Sequence, residues 1–187
     1  AEYLPACLDS VRSQDCSDWE AVVVIDASPD NSFEIAGEYA ESDERFIVVN
    51  KKTNEGRHLA RKTGVEAASG DFILFLDADD ELLPGTLSSL SDAVESSNAD
   101  VIHFGLACEG CGAVSESVCR NFEQWANHNA PDLTNHDALH AVFDPSYGYL
   151  RDWNVAHRLF RASLLKDAFC RMVGYRLEYG EDGYEYF

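Results

Sequence analysis

Residues 72–84 read FILFLDADDELLP, and this stretch decides the predicted fold. Its first five residues are apolar, as is typical of a buried β-strand, and they run directly into an acidic group that only Ala78 interrupts. We expect the backbone to turn at Ala78, so that Asp77 and Asp79 converge, because Pro84 and Gly85 indicate that the strand has ended by then. Carboxylates held this closely repel one another, which predicts a positively charged ligand at this point.

Strand and helix patterns alternate on both sides of this stretch. The predicted strands cover residues 19–26, 45–50, 72–76 and 99–105, and the predicted helices cover residues 2–13, 33–40, 58–68 and 84–97. This alternation predicts an α/β fold with a mostly parallel sheet and flanking helices. Beyond Gly105 the pattern is weaker. It indicates a hairpin near Gly110 and Gly112, a short helix over residues 137–143, and an extended segment entering a helix near Ser163.

Polar residues stand at the predicted carboxyl ends of three strands: Asp26, Asn50 and Asp77. Parallel sheets bind their ligands beyond the carboxyl ends of the strands. The sequence therefore predicts a ligand site at this edge of the sheet.

Composition narrows the class of protein. The chain has 187 residues, which favours one domain, and its 14 basic against 34 acidic residues give a net charge of −20. Such a charge argues against nucleic acid or an anionic membrane surface as the main partner. No apolar run of membrane-spanning length and no signal-peptide pattern is visible in the sequence. The six cysteines are too few for a disulfide scaffold and are interpreted as reduced thiols. The lack of a visible span or signal peptide and the reduced thiols together predict a cytoplasmic protein.

The cysteine and histidine spacings offer weaker metal signals. Cys108 and Cys111, with Cys119 nearby, have the spacing of zinc ligands, but a complete site needs a fourth ligand, and a glycine-punctuated hairpin explains the pattern as well. His136 and His140 lack the accompanying acid of a metallopeptidase and are interpreted as structural.

The acidic group of residues 77–81 suits a hard divalent cation, Mg²⁺ or Mn²⁺, that shares its coordination with a substrate phosphate. Helix capping by Asp79 or Asp80 is the structural alternative. An Asp-x-Asp after an apolar strand also occurs in haloacid-dehalogenase-type phosphatases, but their pattern continues with Thr or Val where this chain has Glu81.

A longer set of motifs resembles the nucleotide-binding half of family 2 glycosyltransferases, which have a GT-A fold. The matching segments are DASPDNS (residues 26–32), NEG with LARKTG (residues 54–56 and 59–64) and LDADD (residues 76–80), and the resemblance covers residues 3–90. WNVAHRLFRASLL (residues 153–165) and the pair Glu181–Asp182 resemble later family motifs more loosely. The resemblance implies a nucleotide-sugar-binding half over residues 1–105 and an acceptor-side half of the same domain over residues 106–187.

The resemblance also implies roles for individual residues. It assigns nucleotide binding to Asp26, Asn54, Arg61 and Asp77. It assigns binding of the Mn²⁺ or Mg²⁺ ion on the diphosphate to Asp79, with Asp77 and Asp80, and general-base catalysis to Asp182. Each role has an ordinary alternative. Asp26 could cap the helix that follows it, Arg61 could belong to a solvated basic face, and Asp182 stands in an acidic run.

The implied function is inverting transfer of a sugar from a nucleotide donor, a UDP-sugar first of all, to a glycan or lipid-linked acceptor, in the cytoplasm or at the inner face of the membrane. The chain departs from the family at Ile25, where a second Asp is usual, and in starting without the family's first strand, so we expect it to be a fragment. These departures keep a second hypothesis open, a catalytically inactive GT-A-like binding or scaffold module. A haloacid-dehalogenase-type phosphatase is the third.

Overall fold

The structure, a computed structural model, describes residues 1–109, 115–127, 132–134 and 155–171. Its helices are α1 (Leu4–Arg12), α2 (Ser32–Ser42), α3 (Arg57–Ala67), α4 (Thr86–Ser96), α5 (Glu116–Ala126) and α6 (Ala162–Arg171). Its strands are β1 (Ala21–Ile25), β2 (Phe46–Asn50), β3 (Phe72–Leu74), β4 (Val101–His103) and β5 (Arg158–Arg161). The order of the elements confirms the predicted α/β class.

The strands pair in two groups. β1 and β2 run parallel, with Ala21 opposite Phe46 and Ile25 opposite Asn50. β5 lies between β3 and β4 and runs antiparallel to both. β3 and β4 therefore point in the same direction, as predicted, but a strand from much later in the chain separates them. Propensity could not reveal this insertion, because strand order depends on long-range packing.

The first apolar cluster lies between α1 and the parallel pair. Leu4, Leu8 and Val11, at helical spacing on α1, are buried together with Phe46 of β2. The ring of Phe46 meets the rings of Trp19 and Tyr39 edge to face, with centroids 5.4 and 5.5 Å apart. The predicted apolar face of the first helix is thus confirmed as core.

The second apolar cluster joins α3 to the other sheet. Val65 of α3 packs with Phe160 of β5 and with Leu165 and Phe169 of α6. The ring of His58 stacks on Phe169 with centroids 5.4 Å apart. Because α3 also packs against β1, this helix connects the two groups of strands.

Two local features differ from the prediction. Helix α5 was not predicted, since the residues after Gly105 lack a clear core pattern. Its apolar Val118, Phe122 and Trp125 are exposed, while its buried positions are Cys119 and Ala126. The β3 ladder also ends at Leu74, two residues before the apolar run does.

The predicted hairpin glycines Gly110 and Gly112 and the predicted helix over residues 137–143 lie outside the described residues.

Within the described residues, no helix combines the length and the apolar character needed to cross a bilayer.

The turn that follows β1 contains a backbone conformation that is unfavourable for its residue. Ala27 has a φ of 54°, in the left-handed region, where an L-residue with a Cβ atom loses roughly 1–2 kcal/mol. Glycine adopts this conformation without that cost, although it gains about 0.5–1 kcal/mol of entropy in the unfolded chain. The strain lies beside Asp26, at the carboxyl end of β1.

We expect Ala27→Gly to raise the free energy of unfolding by about 0.5–1 kcal/mol, because relief of the strain exceeds the added unfolded-state entropy. Urea unfolding followed by circular dichroism measures this change. The matched control is Ala93→Gly inside α4, which should lower the stability by about 1 kcal/mol. An unchanged or lower midpoint for Ala27→Gly would show that the turn carries no such strain.

Candidate functional site

The acidic residues after β3 form a tight turn, hereafter the acidic turn (residues 77–81). The N–H of Asp80 donates to the carbonyl oxygen of Asp77 at 3.0 Å, which reverses the chain across Ala78 and Asp79. Asp77 is half-buried, and Asp79, Asp80 and Glu81 are exposed. The predicted turn at Ala78 is confirmed.

The carboxylates of the acidic turn are close enough to perturb one another. Loss of hydration raises the pKa of Asp80 above its ordinary value, and the charges of Asp79 and Asp77 raise it further. The same surroundings act on the buried thiol of Cys7, because desolvation first and then the acidic turn raise its pKa to about 12. A cation at the turn would relieve this repulsion.

The capping alternative for these residues is wrong. Helix α4 begins at Thr86 with Gly85 as its N-cap residue, and no side chain caps it. Asp79 and Asp80 therefore do not terminate that helix, and their carboxylates are not committed to it.

The described residues contain no group of three His, Cys, Asp or Glu side chains arranged as a ready metal cage. Mg²⁺ and Mn²⁺ at phosphate sites commonly take only one or two protein carboxylates and complete their shell with phosphate oxygens and water. The exposed, mutually repelling oxygens of the acidic turn fit an ion shared in that way. They do not suit an ion that the protein alone would hold.

Arg61 lies beside one end of the acidic turn. Its side chain is only 8% exposed, and Nη2 is 3.7 Å from Oδ1 of Asp77. Its guanidinium also lies over the ring of Phe75, 5.6 Å from the centroid. The hypothesis of a solvated basic face is therefore wrong for Arg61. The structure brings Arg61 and Asp77 together, as two residues of one predicted site should be.

Asp26 contacts the loop that leads into α3. Its carboxylate accepts the N–H groups of Glu55 at 3.1 Å and Gly56 at 2.8 Å, and Nζ of Lys51 is 3.2 Å away. Desolvation alone would raise the pKa of Asp26, but these hydrogen bonds and the Lys51 charge outweigh it and lower the pKa. Asp26 does not cap the helix that follows it, because its carboxylate bonds to Glu55, Gly56 and Lys51 and not to the first turn of α2.

Asn54 joins the same group, since its Nδ2 donates to the carbonyl oxygen of Asp26 at 3.0 Å. Asp26 and Asn54 therefore meet at the N-terminus of α3, while Arg61, farther along the helix, meets Asp77. All four residues that the resemblance assigns to the nucleotide therefore lie in α3 or its N-terminal loop, or contact one of these.

Sequence reasoning missed Lys51, which pairs with both Asp26 and Glu55. Its place directly after Asn50, at the carboxyl end of β2, was an available signal. Asp182 and Cys111 lie outside the described residues, as do His136 and His140, so their assignments stay predictions.

Comparison with known proteins identifies the family. A sequence model of glycosyl transferase family 2 matches residues 1–172. The putative glycosyltransferase EpsH of Bacillus subtilis is 35% identical over 167 residues, which are 88% of this chain and 44% of EpsH. The uncharacterized glycosyltransferase EpsJ of the same organism is 36% identical over 118 residues, which are 63% of this chain and 32% of EpsJ.

Solved structures of TarS from S. aureus resemble the fold. The 1–349 fragment of TarS in complex with UDP superposes with a TM-score of 0.70 at 24% identity, covering 98% of this chain and 50% of that one. The same fragment in complex with UDP-GlcNAc gives a TM-score of 0.63 at 25% identity, covering 89% of this chain and 44% of that one. These likenesses confirm the predicted GT-A-like arrangement.

The chain spans less than half the length of the two Bacillus relatives. Its ordered motifs at the sheet edge agree with a family match that covers most of its residues. The chain belongs to glycosyl transferase family 2.

Proposed function

We propose that this chain is part of an inverting glycosyltransferase, which moves a sugar from a nucleoside diphosphate to a hydroxyl group of a glycan or lipid-linked acceptor. In this proposal residues 1–105 bind the nucleotide-sugar and residues 106–187 contribute to the acceptor side. A UDP-sugar is the first candidate donor, since the similar TarS structures contain UDP and UDP-GlcNAc.

The crowded acidic turn is the observation that carries this proposal. Loss of hydration first, and then the charges of Asp79 and Asp77, raise the pKa of Asp80, and Arg61 is paired with Asp77 at one end of the turn. A diphosphate would add further negative charge, so it cannot approach this turn without a positive ion between them. Asp79 would be the direct ligand of that Mn²⁺ or Mg²⁺ ion, Asp77 would face the ion or the ribose, and Asp80 would be an auxiliary group. When bound, the ion would neutralise charge that develops on the departing diphosphate.

The nucleoside would lie toward the N-terminal end of α3, where Asp26 and Asn54 meet. The carboxylate of Asp26 already accepts two backbone N–H groups and pairs with Lys51. An ionised carboxylate offers about four acceptor positions, so it retains capacity for a donor group of the base. Lys51 would keep the carboxylate ionised and oriented for that contact.

Transfer itself needs a base for the acceptor. The acceptor oxygen would bond to the anomeric carbon while the bond from that carbon to the diphosphate oxygen breaks. The hydroxyl proton would pass to a carboxylate, because an alcohol is too weakly acidic to lose it unaided near neutral pH. The family resemblance assigns this role to Asp182. A single displacement of this kind inverts the anomeric configuration.

In this proposal the enzyme acts in the cytoplasm, or at the inner face of the membrane, on precursors of a surface glycan. The net charge of −20 disfavours nucleic acid as a partner. The family match does not favour the phosphatase or the inactive module.

We expect Asp79→Asn to weaken Mn²⁺-dependent UDP binding by at least about 10-fold. Loss of a group that merely supports a metal ligand already lowers metal affinity by about that factor, and Asp79 is proposed as a direct ligand. Calorimetric titration with UDP, with and without Mn²⁺, measures this. Glu81→Gln is the matched control, because it removes the same charge from an exposed neighbour outside the proposed ligand set. Equal UDP affinity for parent and Asp79→Asn in the presence of Mn²⁺ would exclude Asp79 as a ligand.

We expect Asp182→Asn to keep the UDP affinity and to lower kcat by roughly 10²–10⁴-fold, because only proton transfer is removed. The rate is measured as UDP released in the presence of an acceptor. A variant that retains the parental rate would remove Asp182 from the mechanism.

A further inference from the structure

Helix α1 and the residue that follows its C-cap, Gln14, carry a polar row beside the apolar face of the helix. The row consists of Cys7, Ser10 and Gln14, spaced three and four residues apart, and all three are buried (5–8% exposed). Buried polar side chains are costly unless they are hydrogen-bonded. Their partners therefore reveal what this face of the helix holds.

Gln14 and Ser10 bind the backbone that follows the acidic turn. Nε2 of Gln14 donates to the carbonyl oxygen of Leu83 at 3.0 Å, and its Oε1 accepts the N–H of Leu87 at 3.1 Å. Oγ of Ser10 accepts the N–H of Leu82 at 2.9 Å. Two side chains thus fix three backbone groups, from the residue after the acidic turn to the first turn of α4.

Cys7 reaches the beginning of the acidic turn. Its Sγ lies 3.6 Å from the carbonyl oxygen of Asp77, to which the thiol donates. The same carbonyl accepts the N–H of Asp80, the hydrogen bond that closes the turn. The polar row therefore contacts the chain on both sides of the carboxylates.

Apolar contacts reinforce this attachment. Leu76 and Leu82, immediately before and after the acidic turn, pack against the cluster formed by Leu4, Leu8 and Val11 of α1. Carboxylates that repel one another would spread apart on a free loop. Here the two flanking leucines and the polar row hold the ends of the loop to one rigid helix.

We propose that Ser10 and Gln14 are positioning residues, which act through the backbone of residues 82–87 to hold the acidic turn in the geometry that a cation–diphosphate ligand requires. This inference rests on the proposed function only for the identity of that ligand. The hydrogen bonds themselves act on the turn whether or not the ligand is present. A purely structural role would lower stability without changing the turn.

The test compares Ser10→Ala and Gln14→Met with Leu165→Ala, which truncates a buried residue of α6 in the second apolar cluster and leaves every contact of α1 in place. The first measurement, without metal, is amide hydrogen exchange at Asp80, whose N–H bonds only within the turn. We expect exchange at Asp80 to become about 10-fold faster in Ser10→Ala and Gln14→Met than in the control. Ser10→Thr, which keeps the hydroxyl group, should restore the parental rate.

The second measurement is the Mn²⁺ concentration that gives half-maximal UDP binding. We expect this concentration to rise about 10-fold in Ser10→Ala and Gln14→Met, because removing a group that orients a metal ligand typically weakens metal binding by that factor, and to stay unchanged in Leu165→Ala. If both variants lose stability as Leu165→Ala does, but keep the exchange rate of Asp80, the inference is overturned. If the parent binds no UDP with Mn²⁺ while exchange at Asp80 still accelerates, the proposed function fails and the positioning role stands.

Discussion

The packing of α3 against β1 and α6 is the interaction on which the candidate site depends. Val65 anchors the C-terminal end of α3 in the core, and His58, near the N-terminal end, stacks on Phe169 of α6. This fixes the helix in relation to both groups of strands. The N–H of Gly56, at the N-terminal end of α3, then donates to Asp26 at the end of β1, while Arg61 pairs with Asp77 beyond β3. Two segments that are distant in sequence thus contact the same helix.

The charge of Asp26 is compensated by neighbouring groups, whereas the carboxylates of the acidic turn repel one another. Asp26 is surrounded by two N–H donors and Lys51, and its lowered pKa reflects that stabilisation. The acidic turn has Arg61 beside Asp77, but its carboxylates still raise the pKa of Asp80. Hydrogen bonds from α1 hold this unfavourable arrangement in place. Proteins keep such strain where a ligand relieves it, which agrees with a phosphate-bridging cation at the turn.

The family match and the arrangement of strands narrow the hypotheses made from sequence. Phosphatases with an Asp-x-Asp use it on a first strand, whereas here it follows the third described strand, within a chain matched to glycosyl transferase family 2. Ile25 departs from the family pattern and is a buried core residue, whereas the neighbouring Asp26 pairs with Lys51.

The sequence by itself determined the α/β class, the apolar face of α1, the turn at Ala78 and the placement of Asp26, Asn50 and Asp77 at or just beyond strand ends, because these follow from local periodicity and turn chemistry. It could not determine that β5 enters between β3 and β4, that Arg61 is buried, or that Asp26 supports α3 instead of capping α2. Nor could it reveal that Ser10 and Gln14 bind a loop about 70 residues away. Those features depend on long-range packing, which decides the partner of each buried polar group only when the chain has folded.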